Sequence, residues 1–369
     1  MIQKEKIRGV GYFLMALAAG LLPFAAPDAC AQALREGLAL CGGPLLLSLF
    51  PFLVVSRLLV QCPESDLLAL PFRLAAWGIG IRTPCAARVL CIGFLGGFAP
   101  AASAAAQAVR TGQLTAEEAD ALLPACICSG PSFVVLTVGQ SLLGSAELGV
   151  LLFASQITAN YLTAALLNRF AGVRSVKPGS AAPASPAPPR LDEILADAAI
   201  TYCKLCGFIL FFRMLAAGAG ALLPAGAGTL CSILLEVCSG CDLASRTGRW
   251  GSLLCCAALS VQGLSVLLQV RTICPPEMTL RPLYRSRLLH LPLSLALFYL
   301  LLPGGEADVF STLPARVLLM RRVPPDCALL VFAVCCMAAC TLRSGIRQVE
   351  QKQMARNAGG CCINSKTLL

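Results

Sequence analysis

Charged side chains are scarce. Asp, Glu, Lys and Arg make up 13% of the chain, where a soluble domain carries about a quarter. A polypeptide of 369 residues that is 57% hydrophobic, with mean hydropathy +0.77, cannot bury its apolar surface in one core and still present water with a polar exterior. This excludes a soluble globular domain and makes lipid the solvent for most of the chain. Histidine is scarcer still, with His290 the only one, so a histidine-rich metal centre has no residues to draw on, and no Ser/His hydrolase set is visible. Walker loops, G-x-S-x-G elbows and H-E-x-x-H helices are all missing. The 29 Lys and Arg outnumber the 19 Asp and Glu by enough to give a formal charge of +10. No basic stretch is interleaved with aromatics as a nucleic-acid surface requires, so the surplus reads as membrane topology and nucleic acid is not an expected partner.

What is abundant is apolar sequence in runs of roughly 17–25 residues, the length that crosses a bilayer. These runs predict membrane segments at 9–26, 37–60, 86–109, 117–140, 146–168, 196–224, 227–245, 251–270, 288–303 and 326–343. Lys4, Lys6 and Arg8 before the first run imitate a signal peptide, but further spans follow, so we read a retained first helix. Residues 171–190 are rich in Pro, Ala and Ser and read as a flexible linker. The resulting organisation is an N-terminal helix and lead-in (1–36), a first membrane repeat (37–170), the linker, a second repeat (191–303), and a C-terminal helix with a cytoplasmic tail (304–369). Most of the 21 cysteines lie in apolar runs and act as small hydrophobic residues. The C-x-x-C pairs Cys203/Cys206 and Cys238/Cys241 are read as packing, and no metal or cofactor is expected. Cys361-Cys362 are read as part of a soluble tail.

Basic residues collect in cytoplasmic loops. Arg73, Arg82 and Arg88, the group around the linker (Arg169, Arg174, Lys177, Arg190), and Arg271, Arg281, Arg285 and Arg287 all mark that side, as do Arg343, Arg347, Lys352 and Arg356. These anchors agree only if 86–109 and 227–245 are re-entrant, the first dipping from the cytoplasm and the second from outside. Arg246 and Arg249 then lie outside, and 309–325 is read as an interfacial helix carrying Arg316, Arg321 and Arg322. Both dips are interrupted, at Gly96-Gly97-Phe98-Ala99-Pro100 and at Glu236-Val237-Cys238-Ser239-Gly240. Backbone freed at such points survives in a membrane only inside protein or a wet cavity. Each dip is followed by a span broken by a polar residue, Gly and Ser: Ser129-Gly130-Pro131-Ser132 and Gln262-Gly263-Leu264-Ser265. The expected fold is therefore all-α and polytopic, two inverted-topology halves with about eight full spans, two re-entrant helical hairpins and broken helices.

The candidate chemistry follows these breaks. Glu236 is an acid with no base within a helical turn, and intramembrane acids face a cavity or a partner; a glutamate snorkelling at the hairpin mouth is the alternative. Pro131 frees a carbonyl one turn earlier, Gly130 permits an unwound turn, and Ser129 and Ser132 supply hydroxyls. Gln262, Gly263 and Ser265 repeat that logic with an amide that donates and accepts, and Gln269 lies on a related face. Each break serves equally as a solute site or as a packing kink. Gly97 and its neighbours bring a helix N-terminus towards the cavity, which favours an anion; close packing through small residues would use the same sequence. Arg57, Arg213 and Lys204 read as interfacial anchors, as does His290. Thr115 with Glu118 reads as a capping box opening an amphipathic lead-in.

Ser48-Leu-Phe50-Pro51-Phe52-Leu-Val-Val-Ser56, Gly112-Gln-Leu114-Thr115-Ala-Glu117-Glu118-Ala119 with the Ser-Gly-Pro-Ser break, Leu235-Glu236-Val-Cys-Ser-Gly240 and Leu259-Ser260-Val-Gln262-Gly263-Leu-Ser265 resemble the YlbJ/SpoVV-type sporulation integral membrane proteins over roughly residues 37–290. That family carries a nucleoside-recognition gate domain and is similar to concentrative nucleoside transporters. The resemblance implies a multi-pass protein of the outer forespore membrane that passes dipicolinate, a small dianionic aromatic acid, from mother cell towards forespore. It implies a site built from hairpin tips and broken helices. The expected lining is Glu236, Ser239, Gln262, Gly263 and Ser265 on one side, and Ser129, Gly130, Ser132 and Gly97 on the other. The expected partners are the anionic solute, the bilayer, a coupling ion (proton or sodium) and further copies of the chain. A nucleoside-type permease or sensor and a non-transporting scaffold stand as alternatives, with an intramembrane enzyme last.

Overall fold

Polar side chains are buried alongside an apolar core, while many large apolar ones are exposed. The computed structural model describes residues 2–61, 69–171 and 190–302, and every regular element among them is helical. Helix α8 (Ala146–Ala171) shows the arrangement best. Ser155, Gln156, Asn160 and Thr163 are all but fully buried along one face, while Val150, Leu162, Leu166 and Phe170 are exposed, Phe170 by 82%. Water would favour the opposite orientation, whereas lipid accepts it. Three helical stretches are long and apolar enough to cross a bilayer: α8, α9 (Leu191–Leu222) and the pair α12 (Gly251–Val261) and α13 (Gly263–Ile273), which with a preceding single turn runs Gly248–Ile273. A fourth arises if the bent pair α1 (Ile2–Ala25) and α2 (Pro27–Gly42) counts as one span. The chain is therefore a membrane-embedded helical protein.

The number of intact spans is smaller than the apolar runs predict, because backbone breaks divide several of them. The first and second expected segments become three helices. Ala26 precedes Pro27, which disfavours a helical predecessor; it leaves the helical region at φ −143, ψ 63, and the chain turns by 108° into α2. Residues 27–36, expected as a lead-in, are thus helical. The expected segment 37–60 is divided at Gly43, and its second part is α3 (Pro44–Gln61). A short helix, α4 (Leu70–Gly78), occupies what the sequence reads as loop.

Residues 86–109 form two helices, α5 (Pro84–Gly96) and α6 (Phe98–Arg110), which fold back on each other at Gly97. Residues 227–245 do the same as α10 (Ala225–Leu235) and α11 (Val237–Ser245), turning at Glu236. The expected span 117–140 is α7 (Ala116–Cys126), an irregular stretch 127–130, and, after Pro131, a π-helix, Ser132–Leu142. Helix α7 is not an amphipathic lead-in, since it is enclosed from Glu118 to Cys126. Its capping box is present in both directions, with Glu118 N donating to Thr115 Oγ1 at 3.1 Å and Thr115 N to Glu118 Oε2 at 3.1 Å. The last described helix, α14 (Arg281–Leu301), begins ahead of the expected 288 and draws Arg287 and His290 into the interior; neither is interfacial. The linker after 171, the segments at 309–325 and 326–343, and Cys361-Cys362 lie outside the described residues.

Glycine sets the closest approach between elements. The π-helix lies against α8 through Gly139 and Gly149, where a Cβ on Gly149 would fall 2.7 Å from Val135 Cα. A methyl there must push backbone, not a flexible side-chain end. Gly149→Val should therefore cost about 1–3 kcal/mol as overpacking and lower the thermal midpoint of the purified protein in detergent. Gly207→Val, at an exposed glycine with nothing within 4 Å of the added carbon, should leave the midpoint close to wild type.

Candidate solute site at two helix breaks

Proline 131 has no N–H, so the carbonyl of Ile127, one turn earlier, loses its helical partner. Three side chains supply replacements. Gln262 Nε2 donates to it at 3.3 Å, Arg287 Nη2 at 3.3 Å and Asn160 Nδ2 at 3.5 Å. They come from the second break, from α14 and from α8. The first break is thus bound directly to the second.

Each hairpin tip rests on one break. Gly97, at φ +81, lies so close to the first that a Cβ on it would meet Gly130 N at 2.6 Å. At the second, Gln262 (φ 62) and Gly263 (φ 67) are both left-handed, a conformation that costs a non-glycine residue about 1–3 kcal/mol. A Cβ on Gly263 would meet Glu236 N at 2.9 Å and Leu235 C at 3.0 Å. The two contacts are alike: a turn at a hairpin tip against a glycine of a broken span.

Between them is a cavity of about 50 Å³, bordered by Gly96, Ser129, Gly130, Ser132, Glu236 and Gln269, with apolar walls from α3 and α9. It has room for a few waters and is far smaller than the several hundred Å³ of an open ligand pocket. A larger cleft of about 570 Å³ lies on the other side of the second hairpin, where Ser232, Ser239, Asp242 and Arg246 face Glu36 and Arg213.

The sequence-derived site residues are therefore divided. Glu236, Ser129, Gly130 and Ser132 border the small cavity, and Ser239 lines the larger cleft. Gly97 and Gly263 form the tip contacts. Gln262 spans the breaks, and buried Ser265 accepts from Gln269 Nε2 at 2.8 Å. The Glu236 carboxylate is engaged locally, accepting from Cys238 N at 2.9 Å and Ser239 N at 2.7 Å. It caps α11 and thereby occupies the helix terminus that would otherwise attract an anion.

Sequence reasoning missed a polar layer behind the cavity. Gln156 Nε2 donates to Ser260 Oγ at 3.0 Å, His290 Nε2 donates to Gln156 O at 3.2 Å, and the Ser260 and Ser294 hydroxyls meet at 2.5 Å. Gln156 and Asn160, four apart in an apolar helix, share a face, and that spacing is the available signal. Arg57 and Arg213 prove to be buried ion-pair members, with Asp197 at 2.6 Å and Glu36 at 2.7 Å, and are not surface anchors. Lys204 is exposed. The described cysteines are free thiols, most of them buried, as packing residues are. Comparison with family models, with curated proteins and with solved structures returns no match.

The left-handed turn gives an inverted substitution order. Gln262→Gly and Gln262→Ala both lose the bond to Ile127, but only glycine relieves the strain at φ 62. In detergent melts the glycine variant should be the more stable by about 1 kcal/mol, opposite to the ranking inside a regular helix.

Proposed function

We propose that the chain is a secondary transporter or facilitator for a small anionic aromatic solute, with dipicolinate the specific candidate, and that its two halves are inverted repeats. The observation that carries this reading is the paired tip contact, Gly97 on Gly130 and Glu236 on Gly263, joined through Gln262 and Ile127. Two hairpins meeting two broken spans at one small cavity form the type of arrangement that alternating-access carriers use near mid-bilayer. In this reading α5 to α8 correspond to α10 to α14. The first hairpin enters from the cytoplasm and the second from the opposite face, as the loop charges require. The larger cleft at the second hairpin is the approach from that face.

The resemblance of residues 37–290 to the YlbJ/SpoVV-type proteins supplies the solute and the place: dipicolinate, and the outer forespore membrane. In this reading the chain performs no chemical step, a proton or sodium serves as coupling ion, and further copies of the chain are its neighbours. Ser129, Gly130, Ser132 and Glu236 contact the solute once a tip withdraws, while Gln262 holds the breaks together between cycles.

Two measurements test this. Proteoliposomes carrying the wild-type chain should take up labelled dipicolinate above empty vesicles, without competition from uridine. Glu236→Gln and Gln262→Ala should each lower the rate by about tenfold or more, as losing a buried polar contact of 1.4 kcal/mol would. Absence of uptake, or unchanged rates in both variants, would remove the assignment; competition by uridine would favour a nucleoside permease.

Topology is tested separately. Single cysteines at Arg82 and Thr111, the two ends of the first hairpin, should react with an impermeant maleimide from the cytoplasmic side. Those at Leu223 and Thr247 should react from the other. Labelling of either pair from opposite faces would show a straight crossing.

A further inference from the structure

Three arginines are buried among the described residues: Arg57, Arg213 and Arg287. The first two hold carboxylates, Asp197 and Glu36. Arg287 has none among the described residues. Its Nη2 lies 3.3 Å from Ile127 O and 3.5 Å from Asn160 Oδ1, and its Nε and Nη1 are buried with no hydrogen-bond partner. Retaining a guanidinium in a dry interior without a counter-ion is strongly unfavourable, and a helix-end carbonyl offers only partial charge in return. Unused acceptors lie in the same polar layer: Gln262 Oε1 and Gln269 Oε1 are also buried and unpartnered. Gln262 shares the Ile127 carbonyl with Arg287, and Gln269 borders the cavity.

We propose that Arg287 is the anion-binding residue of the solute site, and that a carboxylate of the transported molecule replaces the Ile127 carbonyl as its partner. This rests on the transport reading above and names the residue that selects charge. The guanidinium is parked on the freed carbonyl of the first break. An entering carboxylate is a better acceptor for it, since a full charge outcompetes a neutral oxygen, and its arrival releases Ile127 from one of its three donors. Solute charge is thereby coupled to loosening of the first break. A dianionic aromatic acid presents one carboxylate to Arg287 and leaves its ring for the apolar walls. Arg287 lies on α14, which packs on both α7 and α8, so its position does not depend on either hairpin.

The test uses the purified full chain in detergent, with binding of dipicolinate and of its neutral diamide, pyridine-2,6-dicarboxamide, followed by ligand-induced thermal shift. Wild type should bind the dianion and discriminate against the diamide. Arg287→Gln should weaken dipicolinate by about 30-fold or more, the loss expected on removing one partner of a buried charge pair, and leave diamide binding unchanged. Arg287→Lys keeps the charge without the planar fork and should show a smaller loss, which also serves if the glutamine variant does not fold. Equal dipicolinate affinity in the folded variants, or no preference for the dianion in wild type, overturns the inference. Vesicles that carry dipicolinate through Arg287→Gln at the wild-type rate and affinity would sink this assignment and leave the transport reading standing. Charge-selective binding through Arg287 without any uptake would do the reverse.

Discussion

A single carbonyl organises the interior. Ile127 cannot bond along its own helix because Pro131 lacks a donor, and in a bilayer no water is at hand to compensate. The protein answers with side chains from three other places, Asn160 on α8, Gln262 at the second break and Arg287 on α14. Those three then need their own surroundings to be polar, which accounts for Gln156, His290, Ser260 and Ser294 being gathered behind them. Remove the proline's vacancy and α7 could run on as a plain span, with no reason for amides to sit at mid-helix. The bonds themselves are long, and polar contacts between membrane helices average only about 0.6 kcal/mol. Their importance lies in what they prevent, which is an orphaned backbone group in a dry core.

Close packing does the remaining work. With lipid outside, apolar side chains gain little by turning inward, so association relies on surfaces that approach closely. Gly97 on Gly130, Gly263 on Glu236, and Gly139 on Gly149 are places where backbone meets backbone. Each joins a segment that is irregular or reversed to one that is its neighbour, so irregularity and tight contact occur together.

The breaks themselves were legible in the sequence, because each departs from the local pattern: paired glycines at 96 and 97, proline after Ser-Gly at 129–131, an isolated acid at 236, a glutamine before glycine at 262. The Thr115–Glu118 cap was legible for the same reason, since its whole mechanism lies within four residues. Features that depend on a distant neighbour were not. The π-helix is matched to Gly149, ten positions from Gly139 along the chain. Arg287 near the start of a helix looks like any interfacial anchor until α7 and α8 enclose it. Helix α4 is short and carries a charge at Arg73, which hid it among loop residues. Of the candidate site, the positions at the tips and breaks were readable, whereas the cationic and amide layer behind them was not.

The two hairpins differ in how they finish their turns. Helix α6 has no side chain capping its start at Gly97, and relies on the neighbouring break to cover it. Helix α11 carries its own stopper, the Glu236 carboxylate folded over Cys238 N and Ser239 N. In the proposed cycle the second hairpin would therefore keep those two donors covered as it moved, whereas α6 has no side chain of its own for that task. One hairpin carries its own lid and the other borrows one from the span beside it.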